Sequence, residues 1–299
     1  MDEHHDNSDE LKPSQPLPSG QMYNSVDFPI TGDGLTMHVG TSKDDVAPRI
    51  LTVKNLAQAQ RIAHFLDDPA NNRVIRSERN IVTFSNTFRG VPVSIIVTGM
   101  GFPMMDFIVR EATHFLSGTA AIIHFSSCSL VDPQAKVGTA VVTTASRMIR
   151  QNYDYDPAKP ESRPYSLTKR ITGSPDMTEL LKAKLKSTLS QENLTEGLNL
   201  TAETYYNSSG RVDSRFDDYS EGLLDWIMQE EPEAKCIEME THKLLHLAAA
   251  SKGRIKAAAC GLGVLHRNTH EELETAKAKD LELFCGHAML NTLAEVSLE

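Results

Sequence analysis

Cysteine is scarce and scattered in this chain. Cys128, Cys236, Cys260 and Cys285 stand far apart with no Cys-x-x-Cys pair, which argues against a disulfide scaffold or a structural zinc site and fits free thiols in a reducing compartment. No metal site is expected; His4-His5 reads as a surface pair in a polar tail. No apolar run approaches the length needed to span a bilayer. The N-terminus lacks the basic-then-apolar pattern of a secretory signal, so a cytoplasmic location is expected, with the Asn193, Asn199 and Asn207 sequons unused. Basic residues are also in the minority, 30 against 40 acids for a net charge of −10. That balance disfavours a nucleic-acid or anionic-membrane partner. It leaves room for a small anionic substrate, because a local arginine cluster can outweigh the global field. A Walker loop is missing too, since no Gly-Lys-Ser/Thr follows the glycine-rich turn at Thr98–Pro103.

What is present is enough for one substantial core: 299 residues, 40% of them apolar. Residues 1–34 hold most of the early Pro, Ser, Asp and Asn without apolar periodicity, and read as a disordered acidic leader to a domain over 35–299. Within that domain the pattern predicts strands at Arg49–Val53, Ile81–Phe88, Val93–Thr98, Ala120–Ser126, Val137–Ala145, Leu198–Tyr206 and Arg254–Leu265. Helices are expected at Leu56–Leu66, Met105–Leu116, Met177–Leu189, Tyr219–Gln229, Thr241–Ser251 and His270–Glu295. Strands alternate with helices, yet Arg89-Gly90 makes a hairpin. The expected fold class is therefore α/β: a single domain with a mixed central β-sheet flanked by helices.

Polar clusters fall where these strands end, the usual place for ligands in such sheets. Thr98-Gly99-Met100-Gly101 opens a helix, so its backbone can approach an anion or simply make a tight turn. Ser126-Ser127-Cys128-Ser129 offers hydroxyl donors, without the elbow motif of a nucleophile. His124, amid Ile and Phe, has the setting of a satisfied core histidine. Glu238-Met239-Glu240 is the most informative stretch. Two carboxylates two residues apart share a face in extended chain, and such closeness is costly unless one is paired, protonated or bound to a polyol. A sugar diol is a natural partner; a strand end running into a helix is the plainer alternative.

The order of these pieces resembles the uridine phosphorylase branch of the nucleoside phosphorylase family over roughly residues 37 to 297. His38-Val39-Gly40, the Thr98–Pro103 turn, Val137–Ala145, Gly210-Arg211-Val212-Asp213 with Tyr219, Glu238-Met239-Glu240, and Leu265-His266-Arg267 follow in the family's sequence. The resemblance implies a nucleoside phosphorylase-like fold and cleavage of a pyrimidine nucleoside by phosphate to base and ribose 1-phosphate. It implies His38, Met239 and Glu240 at the ribose; Arg79, His124 and Ser127 at the phosphate; and Tyr205, Ser209, Arg211 and Arg267 at the base. No cofactor is implied beyond inorganic phosphate as co-substrate. A homodimer is expected, with His38 and Arg79 reaching into the neighbouring subunit's site.

Three departures mark this chain. Lys54-Asn55-Leu56-Ala57-Gln58 stands where the family has Gly-Asp-Pro-x-Arg. His124 replaces the arginine of the second phosphate loop, and Ser209 replaces the glutamine that reads the pyrimidine edge. Lys54, Arg49 and protonated His124 are the candidates to make up the lost positive charge. Two alternatives to phosphorolysis follow: nucleoside hydrolysis by water, or a nucleoside-binding paralogue that no longer turns over.

Overall fold

The computed structural model describes residues 27–159 and 161–299. Most of the expected leader, residues 1–26, lies outside them. Its last residues are packed: Ile30 is buried and bridges Thr36.

Eleven strands form one mixed sheet among the described residues, which bears out the expected α/β class. They are β1 Arg49–Val53, β2 Arg73–Arg76, β3 Val82–Phe88, β4 Val91–Val97, β5 Ala120–Leu130, β6 Ala140–Gln151, β7 Tyr165–Leu167, β8 Ile171–Thr172, β9 Leu194–Ala202, β10 Ala234–Glu238 and β11 Ile255–His266. The order is β10-β9-β6-β11-β5-β1-β4-β3-β2, and β10 also pairs antiparallel with β5. That extra pairing closes β5, β11, β6, β9 and β10 into a ring. The hairpin at Arg89-Gly90 forms as expected, with β3 antiparallel to β4. Around it β1, β4, β5 and β11 run parallel.

Among the described residues six α-helices cover the faces: α1 Leu56–Ala63, α2 Phe102–Ala112, α3 Pro175–Thr188, α4 Leu223–Glu230, α5 Thr241–Ala250 and α6 Thr275–Glu295. Leu51, Val53, Ile123 and Phe125 face one layer, with Ile62 of α1, Leu181 of α3 and Met289 of α6. Ile50 and Ile122 face the other, with Met105 and Ile108 of α2 and Leu244 of α5. This alternation of one sheet residue up and the next down buries both faces. No helix among the described residues is long and apolar enough to cross a membrane.

Several boundaries differ from the periodic pattern, each for a local reason. α2 starts at Phe102, ahead of the expected Met105, because Pro103 suits a first helical turn. α6 starts at Thr275 because Leu265 bridges Glu272 and His266 N–H donates to Glu271 O, which holds the preceding segment against β11. β9 ends at Ala202, short of Tyr206, where Thr204, Asn207 and Ser208 turn the chain through side-chain hydrogen bonds.

Candidate functional site

A cavity of about 640 Å³ opens where β1, β4, β5, β9, β10 and β11 end, a volume suited to a small ligand. Its walls include Lys54, Gly99, Ser126, Ser127, Tyr205, Ser209, Arg211, Met239, Glu240 and Arg267. The polar strand ends singled out from the sequence thus meet in one place, although they lie far apart in the chain.

Glu238 and Glu240 both stay buried, at 6% and 5% exposure. Glu238 ends β10 and accepts from the Thr201 hydroxyl at 2.7 Å, from Glu240 N–H at 2.9 Å and from Thr241 N–H at 3.0 Å. It therefore satisfies the first two backbone donors at the start of α5, and Thr201 Oγ1 takes the next, from His242 N–H. Glu240 leaves the strand conformation, with φ −129° and ψ −35°. Its Oε1 accepts from Gly101 N–H at 2.5 Å, while its Oε2 faces the ring of His124. Met239 lines the cavity between the two acids.

His124 is fully buried and is not on the cavity wall. Its Nδ1 meets Thr52 Oγ1 at 2.9 Å. Its Nε2 lies 3.6 Å from Glu240 Oε2 and 3.9 Å from Glu238 Oε2, without a hydrogen-bond partner. Burial pushes Glu238 above the usual carboxylate range, and the charge of Glu240 adds to it. Burial acts on Glu240 in the same sense, but the His124 ring and the Gly101 N–H outweigh it and hold this carboxyl below that range. One atom from each of these three residues lies within 4.8 Å of the others, close enough to hold a metal ion. The donor set suits a proton better, because both Glu238 oxygens are already taken by hydroxyl and backbone donors.

The base-side residues form a linked group. Arg211 stacks on Tyr205 with its guanidinium carbon 4.3 Å from the ring centroid. Arg267 donates to Ser209 O at 2.7 Å and Gly210 O at 3.0 Å. Burial, then the neighbouring Arg211, lowers the Arg267 pKa. Ser209 turns its hydroxyl to the carbonyl of Tyr205, so it caps its own loop and does not present a free amide-like edge.

Lys54, absent from the site residues the family resemblance implies, sits in the cavity wall and donates through Nζ to the Ser127 hydroxyl. Its signal in the sequence was the replacement of a glycine-acid turn after β1. His38 and Arg79 do not line this cavity. His38 stacks on Phe107 at 4.5 Å, and its Nδ1 meets Glu111 Oε1 at 2.5 Å. Arg79 is exposed in the turn after β2. The two segments touch, since a side chain at Gly40 would meet Ser77 Cβ at 2.9 Å. Arg49 is also elsewhere, donating to Val296 O at 3.3 Å.

A profile of the Phosphorylase superfamily matches residues 50–292. A solved structure from a structural and catalytic analysis of two diverse uridine phosphorylases in the oomycete Phytophthora capsici superposes with a TM-score of 0.86. It is 34% identical and covers 91% of this chain and 98% of that one. The DeoD-type purine nucleoside phosphorylase of Bacillus cereus is 24% identical over 72% of this chain and 81% of its own length. That of Streptococcus pyogenes is 28% identical over 40% of this chain, and the match spans about half, 51%, of the streptococcal protein. With sheet, cavity and glutamate pair in this arrangement, the chain belongs to the phosphorylase superfamily and is related to both uridine and purine nucleoside phosphorylases.

Proposed function

We propose that the protein is a nucleoside phosphorylase of uridine type, which cleaves a pyrimidine nucleoside with inorganic phosphate to give the base and ribose 1-phosphate. One observation carries the reading: a single cavity gathers an ionised, buried Glu240 with Met239, an aromatic-arginine group of Tyr205, Arg211 and Arg267, and a hydroxyl-ammonium group of Lys54 and Ser127. Those are the three chemistries a nucleoside and an anion need together.

In this reading Glu240 accepts the ribose hydroxyls and Met239 packs on the sugar. Tyr205 stacks on the base, with Arg211, Arg267 and Ser209 along its polar edge. One phosphate oxygen forms the bond to C1′ as the C1′–N bond breaks. The electron pair leaves on the base, and water protonates it. No covalent enzyme nucleophile is required; the protein supplies position and charge stabilisation. Arg211 and Arg267 stabilise charge growing on the base. His38 and Arg79 act from the partner subunit of a homodimer. The similarity to the Phytophthora uridine phosphorylase over 91% of the chain supports this branch.

The test is uracil release from uridine by the purified chain, with and without phosphate. Phosphate-dependent release is expected. Equal release without phosphate would sink phosphorolysis in favour of hydrolysis. No release in either condition, with uridine still bound, would make the protein a nucleoside-binding paralogue.

A further inference from the structure

We propose that Lys54 is the cation by which the subunit that carries the cavity holds phosphate, with Ser127 as its hydroxyl partner; this rests on the phosphorolytic reading above. Among the described residues the cavity wall carries three cationic side chains, Lys54, Arg211 and Arg267. The two arginines lie on the base side: Arg211 over the ring of Tyr205, its buried Nε without a hydrogen-bond partner among the described residues, and Arg267 on the carbonyls of Ser209 and Gly210. The other candidates are turned away. Arg49 binds Val296 O, and His124 is sealed behind Glu238 and Glu240.

Like Arg211 and Arg267, Lys54 forms no ion pair among the described residues; it differs in lying half-buried at the end of β1 with its ammonium on a neutral hydroxyl. An ammonium partly removed from water without a carboxylate is costly, and a bound anion removes that cost. Two further features share its neighbourhood. Ser126 lines the same cavity, and its buried Oγ has no hydrogen-bond partner. Asn55, the next residue, caps α1 by accepting Gln58 N–H at 2.9 Å, so the positive end of that helix dipole opens beside Lys54. A flexible ammonium acts as a point charge and needs no fixed bidentate geometry, which suits a phosphate loop rebuilt without its arginines.

The replacement of Gly-Asp-Pro-x-Arg by Lys54–Gln58 is thus a substitution of one cation for another, displaced along the chain to the end of β1.

The experiment is calorimetric titration of inorganic phosphate into the full chain, comparing wild type with Lys54→Met, Lys54→Arg and Arg79→Ala. Lys54→Met is expected to weaken phosphate binding about 100-fold, as loss of a partner to a desolvated charge does, while Lys54→Arg stays within about tenfold. Uridine affinity without phosphate should be unchanged in Lys54→Met, which separates a lost anion contact from a damaged fold. Wild-type phosphate affinity in Lys54→Met, or loss in Arg79→Ala alone, overturns the assignment. If Lys54→Met loses phosphate binding but wild-type uracil release ignores phosphate, Lys54 stands and phosphorolysis falls. If Lys54→Met performs phosphorolysis at the wild-type phosphate KM, phosphorolysis stands and Lys54 falls.

Discussion

His124 Nε2 and Glu240 Oε2 face each other at 3.6 Å in the interior, and that nitrogen has no hydrogen-bond partner among the described residues. The histidine that replaces a family arginine therefore serves the carboxylate expected at the sugar and leaves the anion to another residue. Through this contact and Gly101 N–H, Glu240 titrates below the usual carboxylate range although burial works against it. Glu238 titrates above it, through burial and the charge of Glu240.

The signs of the two shifts oppose each other. Glu240, depressed on folding, contributes stability above the ordinary carboxylate range that is lost as pH falls through its lowered value. Glu238, raised on folding, contributes stability below the ordinary range that is lost as pH rises through its raised value. Ligand binding follows Glu240. Wild-type uridine affinity should stay level from about pH 7 to about pH 5. In His124→Gln, burial acts on Glu240 with less opposition, so affinity should decline across that window. Uridine dissociation constants against pH check this, and identical profiles would refute the pairing.

Gly101 joins backbone strain to the same carboxylate. Its φ of 98° and ψ of 153° belong to a region open in practice only to glycine, and its N–H reaches Glu240 Oε1. Gly101→Ala is expected to cost about 1–3 kcal/mol of stability, or to turn the peptide and release Glu240. Urea denaturation reads the first outcome and a raised uridine KM the second. A variant with wild-type midpoint and KM would show that the turn has no such role.

A site shared between subunits has its own signature. His38 and Glu240 belong to one proposed ribose site, yet His38 stands on Phe107 and Glu111, off its own protomer's cavity. His38→Ala and Glu240→Gln should each lower uracil release by about 100-fold. Mixed dimers of the two variants, formed by co-expression, should regain part of the activity, because one of their two sites then carries both native residues. Absence of any recovery in verified mixed dimers would refute a site in which His38 and Glu240 come from different subunits.

Much of this protein is legible one segment at a time. Amphipathic periods mark the helices that cover the sheet, Arg89-Gly90 marks its hairpin, and Glu238-Met239-Glu240 marks a cavity wall, because each signal is local. The missed strands are short or lean on distant partners: β7 and β8 exist only by pairing with β6. β10, legible only as a strand end running into a helix, takes its place from β9 and β5.

The division of charge inside the cavity is different in kind. On the sequence, Lys54, Arg49 and protonated His124 are all candidates to make up the missing positive charge, and the resemblance puts His124 at the phosphate. The parallel register of β1 on β5 sets them apart in position. It pairs Val53 with Phe125, so Lys54, the residue after Val53, reaches Ser127, two residues beyond Phe125. The seating of α5 turns Glu240 onto His124. Sequence alone determined the α/β pattern and the identity of the polar strand ends, since these follow from nearest-neighbour chemistry. Which cation meets which anion was settled only in three dimensions, because strand register and helix docking set those distances between residues remote in the chain.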